Sequence, residues 1–335
     1  MIIRRAKASE FEDIKSFYNT HWGSIHALVN VKRLFDFFFV DGEFLNFIIA
    51  RKTEESEIIS ACGYIPANST ATPDVWTTLW LTQKRAHQNV GLQIVDYIVE
   101  KMGFRLVSTN NARLNTLVLY RFLGYETAKM NHYYRLSKRK DYKVAVLNGH
   151  HEILPVDKTQ YSLKRFETPD DFIGSFDPLA SMNNRPYKDV GYIAKRFYDF
   201  PFYHYFVYGI FNEEKQCQTI IVFRKAYVRE TSILRIVDVV GEYSELANIG
   251  HCIQDLLQEH HCEYVDFYCY GIDQEVLRRA GFLQRDPDDK NIIIPNYLEP
   301  YAPINTDYHF FCNKLEGFVQ CKADGDQDRL NIELL

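Results

Sequence analysis

The chain has 335 residues, of which 46% are hydrophobic and 25% are charged; these values exclude a disordered chain and allow two ordinary domains. The net charge of −5 argues against a nucleic-acid binder, because such proteins carry a basic face that neutralises phosphates. No apolar run reaches the roughly 18 residues needed to span a bilayer, so we expect no membrane segment.

Residues 1–18 predict a strand followed by a helix and not a signal peptide. The seven cysteines include no CxxC pair, and several lie in apolar runs such as "YVDFYCY". They predict small core side chains in a reduced, cytoplasmic protein. The histidines and cysteines between 251 and 262 match no zinc spacing, so we expect no metal.

Three segments of the first half recur in the second half, in the same order and about 160 residues later. These are "KRLFDFF" and "KRFYDFP", "NVGLQIVDYI" and "NIGHCIQDLL", and "LYRFLGY" and "VLRRAGF". We predict a first copy at 1–137, a linker at 138–160 and a second copy at 161–335.

Each copy reads as a strand, two helices, adjacent strands, a long helix, a further strand and a shorter helix. In the first copy the long helix is predicted at about 88–102, and the shorter helix ends at Gly124. Antiparallel strands followed by a βαβ crossover predict an α+β fold. We expect two tandem domains, each with a mixed, mostly antiparallel sheet flanked by helices.

The stretch 81–93 predicts a strand that enters a helix through a basic, glycine-containing turn. A helix N-terminus presents unpaired N–H groups and partial positive charge, so it binds phosphate. Gly91 would let a ligand approach the backbone, although a packing role is the simpler interpretation. The predicted phosphate-binding residues are Leu81, Thr82, Gln83, Arg85, Gln88, Asn89, Val90, Gly91 and Leu92.

This arrangement resembles the GNAT superfamily of acyl-CoA-dependent N-acyltransferases. Gln88 and Gly91 match the first positions of its pyrophosphate motif, [Q/R]-x-x-G-x-[G/A], whereas Gln93 departs from the last. "LYRFLGY" matches the segment in which a tyrosine often protonates the departing thiolate. The resemblance therefore implies acyl-CoA, carrying an acetyl or 3-hydroxybutyryl group, as co-substrate and Tyr120 as the acid.

The family's usual asparagine, seven residues before this tyrosine, is replaced by Arg113, and the nearby Asn115 is our candidate for its contact with CoA. In the second copy, Glu242 and Glu245 stand where the first has basic residues, and Leu277 aligns with Tyr120. Carboxylates would repel a pyrophosphate. We therefore assign CoA to the first copy and expect the second to be a degenerate copy that builds the acceptor side.

In the family, a backbone N–H on the strand before the turn holds the thioester carbonyl, which implies the segment 80–82. The glutamate that often serves as base is missing from "VWTTLWLT". His21 and His26 are candidate bases, because histidine titrates near neutrality. Surface or packing roles are equally open for both.

Tandem domains that end in "DGDQDR" resemble sugar N-acyltransferases of bacterial O-antigen synthesis. This resemblance implies a nucleotide-linked acceptor, a dTDP-3-amino-3,6-dideoxyhexose. An EF-hand from Asp324 is excluded, because Arg329 and Leu335 take the positions that need glycine and glutamate. A solvated tail stays open. The predicted acceptor-binding residues are Trp22, Asp326, Asp328, Arg329 and Asn331.

Two other functions remain open from the sequence. One is an N-acyltransferase that acts on a peptide or on an aminoacyl-tRNA-dependent peptidoglycan precursor, against which the net charge argues mildly. The other is a non-catalytic module that senses a ligand. The expected partners are small molecules, without nucleic acid or membrane, and the oligomeric state is open, a homo-oligomer included.

Overall fold

The computed structural model describes residues 1–86, 89–149, 151–177 and 181–330. By its internal contacts the chain forms two compact units. The first consists of Met1–Thr127, Phe310–Leu315 and the segment from Gly325 onward. The second consists of Ala128–His309 and Glu316–Asp324. The last part of the chain therefore contributes to both units.

The first sheet is built mainly from the first unit, and we label its elements in chain order. The strands are β1 Ile2–Lys7, β2 Val40–Asp41, β3 Phe44–Arg51, β4 Ile58–Pro66, β5 Asp74–Thr82, β6 Leu106–Thr109, β7 Glu126–Lys129 and, much later in the chain, β17 His309–Cys312. The helices are α1 Phe11–His21, α2 Ala27–Asn30, α3 Lys32–Phe39, α4 Val90–Asp96 and α5 Leu114–Phe122. A π-helical turn, Tyr97–Lys101, extends α4.

The elements of the second unit are labelled in the same way. Its strands are β8 Asn131–Leu136, β9 Val146–Leu147, β10 Ser162–Phe166, β11 Tyr205–Phe211, β12 Cys217–Val228, β13 Thr231–Gly241, β14 Tyr264–Tyr270, β15 Leu283–Gln284, β16 Ile292–Ile293 and β18 Gln320–Cys321. Its helices are α6 Pro169–Ile173, α7 Val190–Phe197, α8 Gly250–Glu259 and α9 Gln274–Arg279. A 3-10 helix, Tyr243–Asn248, precedes α8.

The first sheet has the strand order β1-β3-β4-β5-β6-β17-β7, with β2 paired to β3. β1, β3, β4 and β5 pair antiparallel, and β5 pairs parallel with β6. β3 and β4 are almost entirely buried, because helices cover this part of the sheet. Their runs "NFIIA" and "IISACGY" are accordingly apolar without strict alternation, as strands buried on both faces are.

The second sheet has the order β10-β11-β12-β13-β14-β8-β15, and β18 pairs with β14. Neighbours from β10 to β13 are antiparallel, whereas β13 and β14 are parallel. Each sheet thus contains an antiparallel series followed by one parallel pair, and further strands extend it beyond that pair. The predicted α+β class with two mixed sheets flanked by helices is confirmed.

One strand joins a different sheet from the one we expected. β8 belongs by sequence to the first copy, but it pairs along its whole length with β14 in the second sheet. Backbone hydrogen bonding to β14 and burial of His132 to Leu136 account for this placement. The two compact units therefore do not begin and end at the predicted boundaries 137 and 161. Those boundaries describe the sequence repeat and remain a prediction.

The predicted core role of the cysteines agrees with their burial. Six of the seven are buried, and Cys252 is partly buried. Each is a free thiol. Burial raises the pKa of the Cys62 thiol to about 12, which keeps it protonated and unreactive at neutral pH.

Candidate functional site

The two parallel strands of the first unit separate at their carboxyl ends. Pairing between β5 and β6 runs from Asp74 opposite Leu106 to Thr77 opposite Thr109. The hydroxyl of Thr109 donates to the carbonyl of Thr77 at 2.8 Å, at the last paired position. β6 ends there, whereas β5 continues to Thr82. An opening therefore forms at this point, which is where open α/β sheets place their ligands.

A bulge in β5 lies at the same level. Gly63 pairs with Thr78 and Ala61 with Leu81, so Cys62 alone stands opposite two residues, Leu79 and Trp80. Leu79 has a positive φ of 56°, and its carbonyl accepts a hydrogen bond from the Tyr18 hydroxyl. Bulges re-aim side chains and interrupt pairing. Here the bulge turns β5 away from the ordinary ladder beside the opening.

A cavity of about 420 Å³ occupies the opening. Its walls come from four stretches of the first unit: the turn before α2, the second half of β5, the β6–α5 connection with α5, and residues 326–329. Seven residues predicted from the sequence meet in it. They are Trp22, His26, Leu81, Asn115, Tyr120, Asp326 and Arg329.

Tyr120 lies in the inner wall of this cavity on α5 and is only 3% exposed. Its ring stacks on Phe311, with centroids 3.8 Å apart, and packs against Trp80 at 5.5 Å. Burial, aided by the nearby Cys62, raises its pKa far above the ordinary value, while a hydrogen bond with Thr77 opposes the rise. Tyr120 therefore keeps its proton at neutral pH.

His26 precedes α2 and lies in the opposite wall. Burial, and then the charge of Arg329, lower its pKa to about 4. The imidazole is therefore neutral at pH 7. Its Nδ1 is buried and has no hydrogen-bond partner among the residues that the structure describes, so it is available to a ligand.

The C-terminal segment enters this cavity as a structured turn. Gly325 has φ 66° and would place a Cβ 3.0 Å from Trp76, so a side chain there would be strained and crowded. Asp326 is 5% exposed and accepts from Arg329 Nε at 3.1 Å, and Arg329 also lies 3.5 Å from His26 Nε2. The alternative of a solvated tail is therefore wrong for these residues.

Not every predicted acceptor residue shares this position. Asp328 is buried with φ 52°, but it is not in the cavity wall. Asp324 belongs to the second unit, where Lys188 lies 2.6 Å from its Oδ1. Asn331 lies outside the described residues. Asp326 and Arg329 belong by sequence to the predicted second copy, but they pack within the first unit.

The predicted phosphate turn leads from β5 to α4. Asn89 has a left-handed φ of 76° and is followed by α4, which begins at Val90. Arg85 is exposed in the turn. Gln88, which matched the family motif, lies outside the described residues. Leu92 is half-buried in the first turn of the helix.

Gly91 has a packing role in this structure. A Cβ on Gly91 would lie 2.7 Å from Thr82 Oγ1 and 3.4 Å from the Trp80 ring, so the glycine lets α4 approach β5. Thr82 in turn bonds Ser60 at 2.7 Å, and the Gln83 amide donates to the Ile58 carbonyl at 3.0 Å. These three predicted residues therefore support the turn, and none of them is in the wall that contains Tyr120.

Trp80 connects the turn with the cavity. Its ring lies beside Gly91 and also packs against the ring of Tyr120. Its buried Nε1 has no hydrogen-bond partner within the described part of the chain. An unpartnered indole N–H between a helix N-terminus and a buried tyrosine is a donor that a ligand can use.

His21 is not part of this site. It is the exposed last residue of α1 and lines a separate cavity of about 340 Å³ with Asp13 and Gln83. The chain turns immediately afterwards at Gly23, which has φ 86°, and this turn separates His21 from His26. The prediction of His21 as a base beside Tyr120 is therefore wrong on position.

Sequence analysis missed several residues of the wall. Arg113 lies with its guanidinium 4.9 Å from the centre of the Trp22 ring, and Thr77, Thr109 and Asn110 line the opening. Thr77 and Thr109 are the last paired residues of the two parallel strands, and Asn110 follows Thr109. Attention to the carboxyl ends of the predicted parallel pair would have found them.

The corresponding place in the second unit is filled. β13 and β14 pair from Leu234–Val265 to Ile236–Phe267 and then part. β18 enters the gap, pairing Cys321 with Cys269, and the Ala323 N–H donates to the Val237 carbonyl at 2.8 Å.

The counterpart of the phosphate turn is also covered. A Cβ on Gly250 would lie 2.7 Å from Val156 and 2.9 Å from the Ala280 carbonyl oxygen. Leu277, which aligns with Tyr120, is buried in the core. The second unit thus repeats the architecture without the opening.

Comparisons with known proteins identify the fold. No protein-family model matches the sequence, and no curated protein matches it significantly. A GCN5-related N-acetyltransferase from Anabaena variabilis ATCC 29413 has 12% identity and a TM-score of 0.56, over 93% of this chain and 72% of that chain. A conserved Enterococcus faecalis V583 protein of unknown function, described as a probable N-acyltransferase, has 9% identity and a TM-score of 0.55, over 93% and 71%.

At these identities the likeness concerns the fold alone. The chain has the α+β architecture of two GNAT-like domains, as predicted. Among the described residues no helix is long and apolar enough to cross a membrane. The same residues include no cluster of three or more histidine, cysteine or acidic side chains suited to a metal ion.

Proposed function

We propose that the protein is an acyl-CoA-dependent N-acyltransferase whose first unit holds CoA. The observation that carries this proposal is the opening between β5 and β6, where a β-bulge, a neutral buried histidine and a protonated buried tyrosine line one cavity. The GNAT-like fold agrees with it. We also propose that the second copy is degenerate, since its corresponding gap is filled by β18.

The residues of the turn fit CoA. Acyl-CoA would supply the acyl group as a thioester. The first N–H groups of α4 and the exposed Lys84 and Arg85 would face its phosphates. The unpartnered Trp80 Nε1 would donate to it further inside. Asn115, in the cavity wall, stays our candidate for a further contact.

The chain's own groups suit direct transfer to an amine. Backbone N–H groups of β5 near Leu81 would bind the carbonyl oxygen as its charge grows. His26, with its pKa near 4, is a weak base, so it suits an acceptor amine that is already neutral. Tyr120 keeps its proton until it protonates the leaving sulfur.

For the acceptor we propose the amine of a nucleotide-linked amino sugar, probed with dTDP-3-amino-3,6-dideoxyhexose. Asp326 offers carboxylate oxygens to sugar hydroxyls or to the amine, and Arg113 and Arg329 offer guanidinium groups to phosphates. The Trp22 face suits stacking by a base or a sugar. A role in surface-polysaccharide synthesis would follow from this acceptor, with acetyl or 3-hydroxybutyryl as the acyl group.

The test is release of free thiol from a panel of acyl-CoAs, measured against nucleotide amino sugars and against peptide amines. We expect thiol release that depends on a nucleotide amino sugar and is strongly reduced in the Tyr120→Phe variant. Release that depends on peptide amines would support the alternative acceptor class. Binding of CoA without turnover for any acceptor in the panel would favour a non-catalytic module.

A further inference from the structure

A second cavity, of about 620 Å³, lies inside the second unit. It is bounded by the end of β8, the second half of α8 and the segment 153–155. Arg135, Lys138 and Arg139 are in its wall, and none of its lining residues is an aspartate or a glutamate. A lining whose charged residues are all basic is unexpected in a chain of net charge −5, and it favours anions.

Arg135 is the unusual member of this wall. It is only 3% exposed, and its guanidinium donates to the Ala280 carbonyl and to Gln254 Oε1, each at 3.0 Å. Both acceptors are neutral, and no carboxylate pairs with Arg135 in the described part of the chain. Burial lowers its pKa to about 10, so the group is still a cation at neutral pH. A buried charge without a counter-charge is costly, and a bound anion relieves that cost.

The rest of the cavity is mainly apolar. Its other wall includes Ile153, Leu154 and Pro155, of which Ile153 and Pro155 are exposed and Leu154 is half-buried. A small inorganic ion would leave these side chains in contact with water. An anion attached to an apolar body would cover them and gain the hydrophobic contribution.

We propose that this cavity binds an organic anion, with a carboxylate or phosphate head against Arg135 and an apolar body against Leu154 and Pro155. The exposed Lys138 and Arg139 at the rim attract the anion and lower its rate of escape. All the lining residues belong to the second unit, so the site is separate from the cavity that contains Tyr120.

The test uses octanoate as the anionic probe and octanol as its neutral counterpart, titrated by calorimetry into the full-length protein. We expect one octanoate to bind per chain, with octanol at least about tenfold weaker. Absence of octanoate binding at millimolar concentration, or equal binding of the two probes, would overturn the proposal.

Position is tested with a matched pair at the rim. Ile153→Glu introduces a carboxylate beside the basic wall, and Ile153→Gln has the same shape without the charge. We expect octanoate to bind the Gln variant and to bind the Glu variant about thirtyfold more weakly or worse. Equal affinities would contradict the assignment.

Arg135→Gln should cause a loss of similar size, and circular dichroism would show whether the variant is folded. If it is not folded, the pair at Ile153 decides the question. Arg113→Gln, in the cavity of the first unit, should leave octanoate binding unchanged. A loss in that variant would place the anion in the other cavity and overturn the proposal.

Discussion

The parallel pair of strands parts in both units, but with opposite outcomes. In the first unit the space beyond Thr77 and Thr109 is a cavity with polar walls. In the second unit the space beyond Ile236 and Phe267 contains the chain's own β18. Strands that part expose N–H and C=O groups that need partners. In the second unit another piece of the chain provides them, whereas in the first unit a cavity lies beside the parted strands.

The filling strand of the second unit is held by charge as well as by backbone pairing. Next to β18, Asp324 is fully buried and forms an ion pair with Lys188. Lys188 forms a second ion pair with Asp238, which lies on β13. The Cys321 N–H donates to the Asp324 carboxylate at 2.8 Å. The segment therefore packs as an integral part of the second unit. The difference between the units teaches that the presence of an opening cannot be inferred from the fold that surrounds it.

The sharpest test of this comparison removes the hydroxyl of Tyr120, the proposed acid. Tyr120→Phe should lower kcat about a hundredfold, because a positioned acid contributes roughly 10²–10⁴-fold and a thiolate already leaves well. CoA affinity, measured by calorimetry, should change little. Leu277→Met, at the aligned position of the second unit, should leave kcat unchanged. A loss of kcat in the Leu277 variant without one in the Tyr120 variant would reverse the roles of the units.

The glycines at the start of α4 and α8 should differ in how much an added side chain lowers stability. Gly250→Ala should lower the free energy of unfolding by about 1–3 kcal/mol, because its Cβ meets the Ala280 carbonyl oxygen and Val156. Gly91→Ala should cost less, since the single close atom is Thr82 Oγ1 at the end of a side chain. Urea unfolding curves of both variants check the order. A larger cost at Gly91 would contradict the close packing described for Gly250.

Burial of His26 in the first unit should affect how the free energy of unfolding changes with pH. The pKa of His26 is lowered from 6.5 to about 4, so the unfolded chain binds more protons between these values, and stability is lost as the pH falls through this window. His26→Gln should reduce that loss by about 2 kcal/mol. Unfolding free energies at pH 4 to 7 measure it, with His21→Gln as the control for removing an exposed imidazole. An unchanged slope would show that His26 is not buried as a neutral base.

The smallest effect concerns the indole of Trp80. Trp80→Phe keeps an aromatic ring beside Tyr120 and removes the unpartnered indole N–H. A single hydrogen bond contributes about 0.5–1.5 kcal/mol, so CoA should bind roughly three- to tenfold more weakly. The variant's melting temperature without ligand should be close to that of the wild type. Unchanged CoA affinity would remove Trp80 from the proposed site.

Local patterns predicted much of the first unit's cavity. Tyr120 and Asn115 follow from a motif on one helix, and His26 and Trp22 from a polar, aromatic turn between helices. Such features depend on residues near one another in the chain. By contrast, the place of Thr77 and Thr109 in the cavity wall required knowledge of where two strands stop pairing.

Two further features could not have been predicted in the same way. Gly91 matched a ligand-binding motif, yet its contact with Thr82 is a matter of helix–strand distance. His21 and His26 are five residues apart and chemically alike, but a turn at Gly23 directs them to different cavities. In each case the deciding contact is with a residue distant in the chain or with the backbone path.

The sequence by itself determined the α+β class, because periodicity is a local property, and from its repeats and residue identities it predicted two copies, with the proposed acid missing from the second. Only the tertiary structure decided that β8 pairs in the second sheet, that β18 fills the second opening and that Asp326 and Arg329 enter the first. These placements depend on which unpaired strand edge the chain can reach. That competition for backbone hydrogen bonds and buried area is settled across the whole fold, and no short stretch of residues records it.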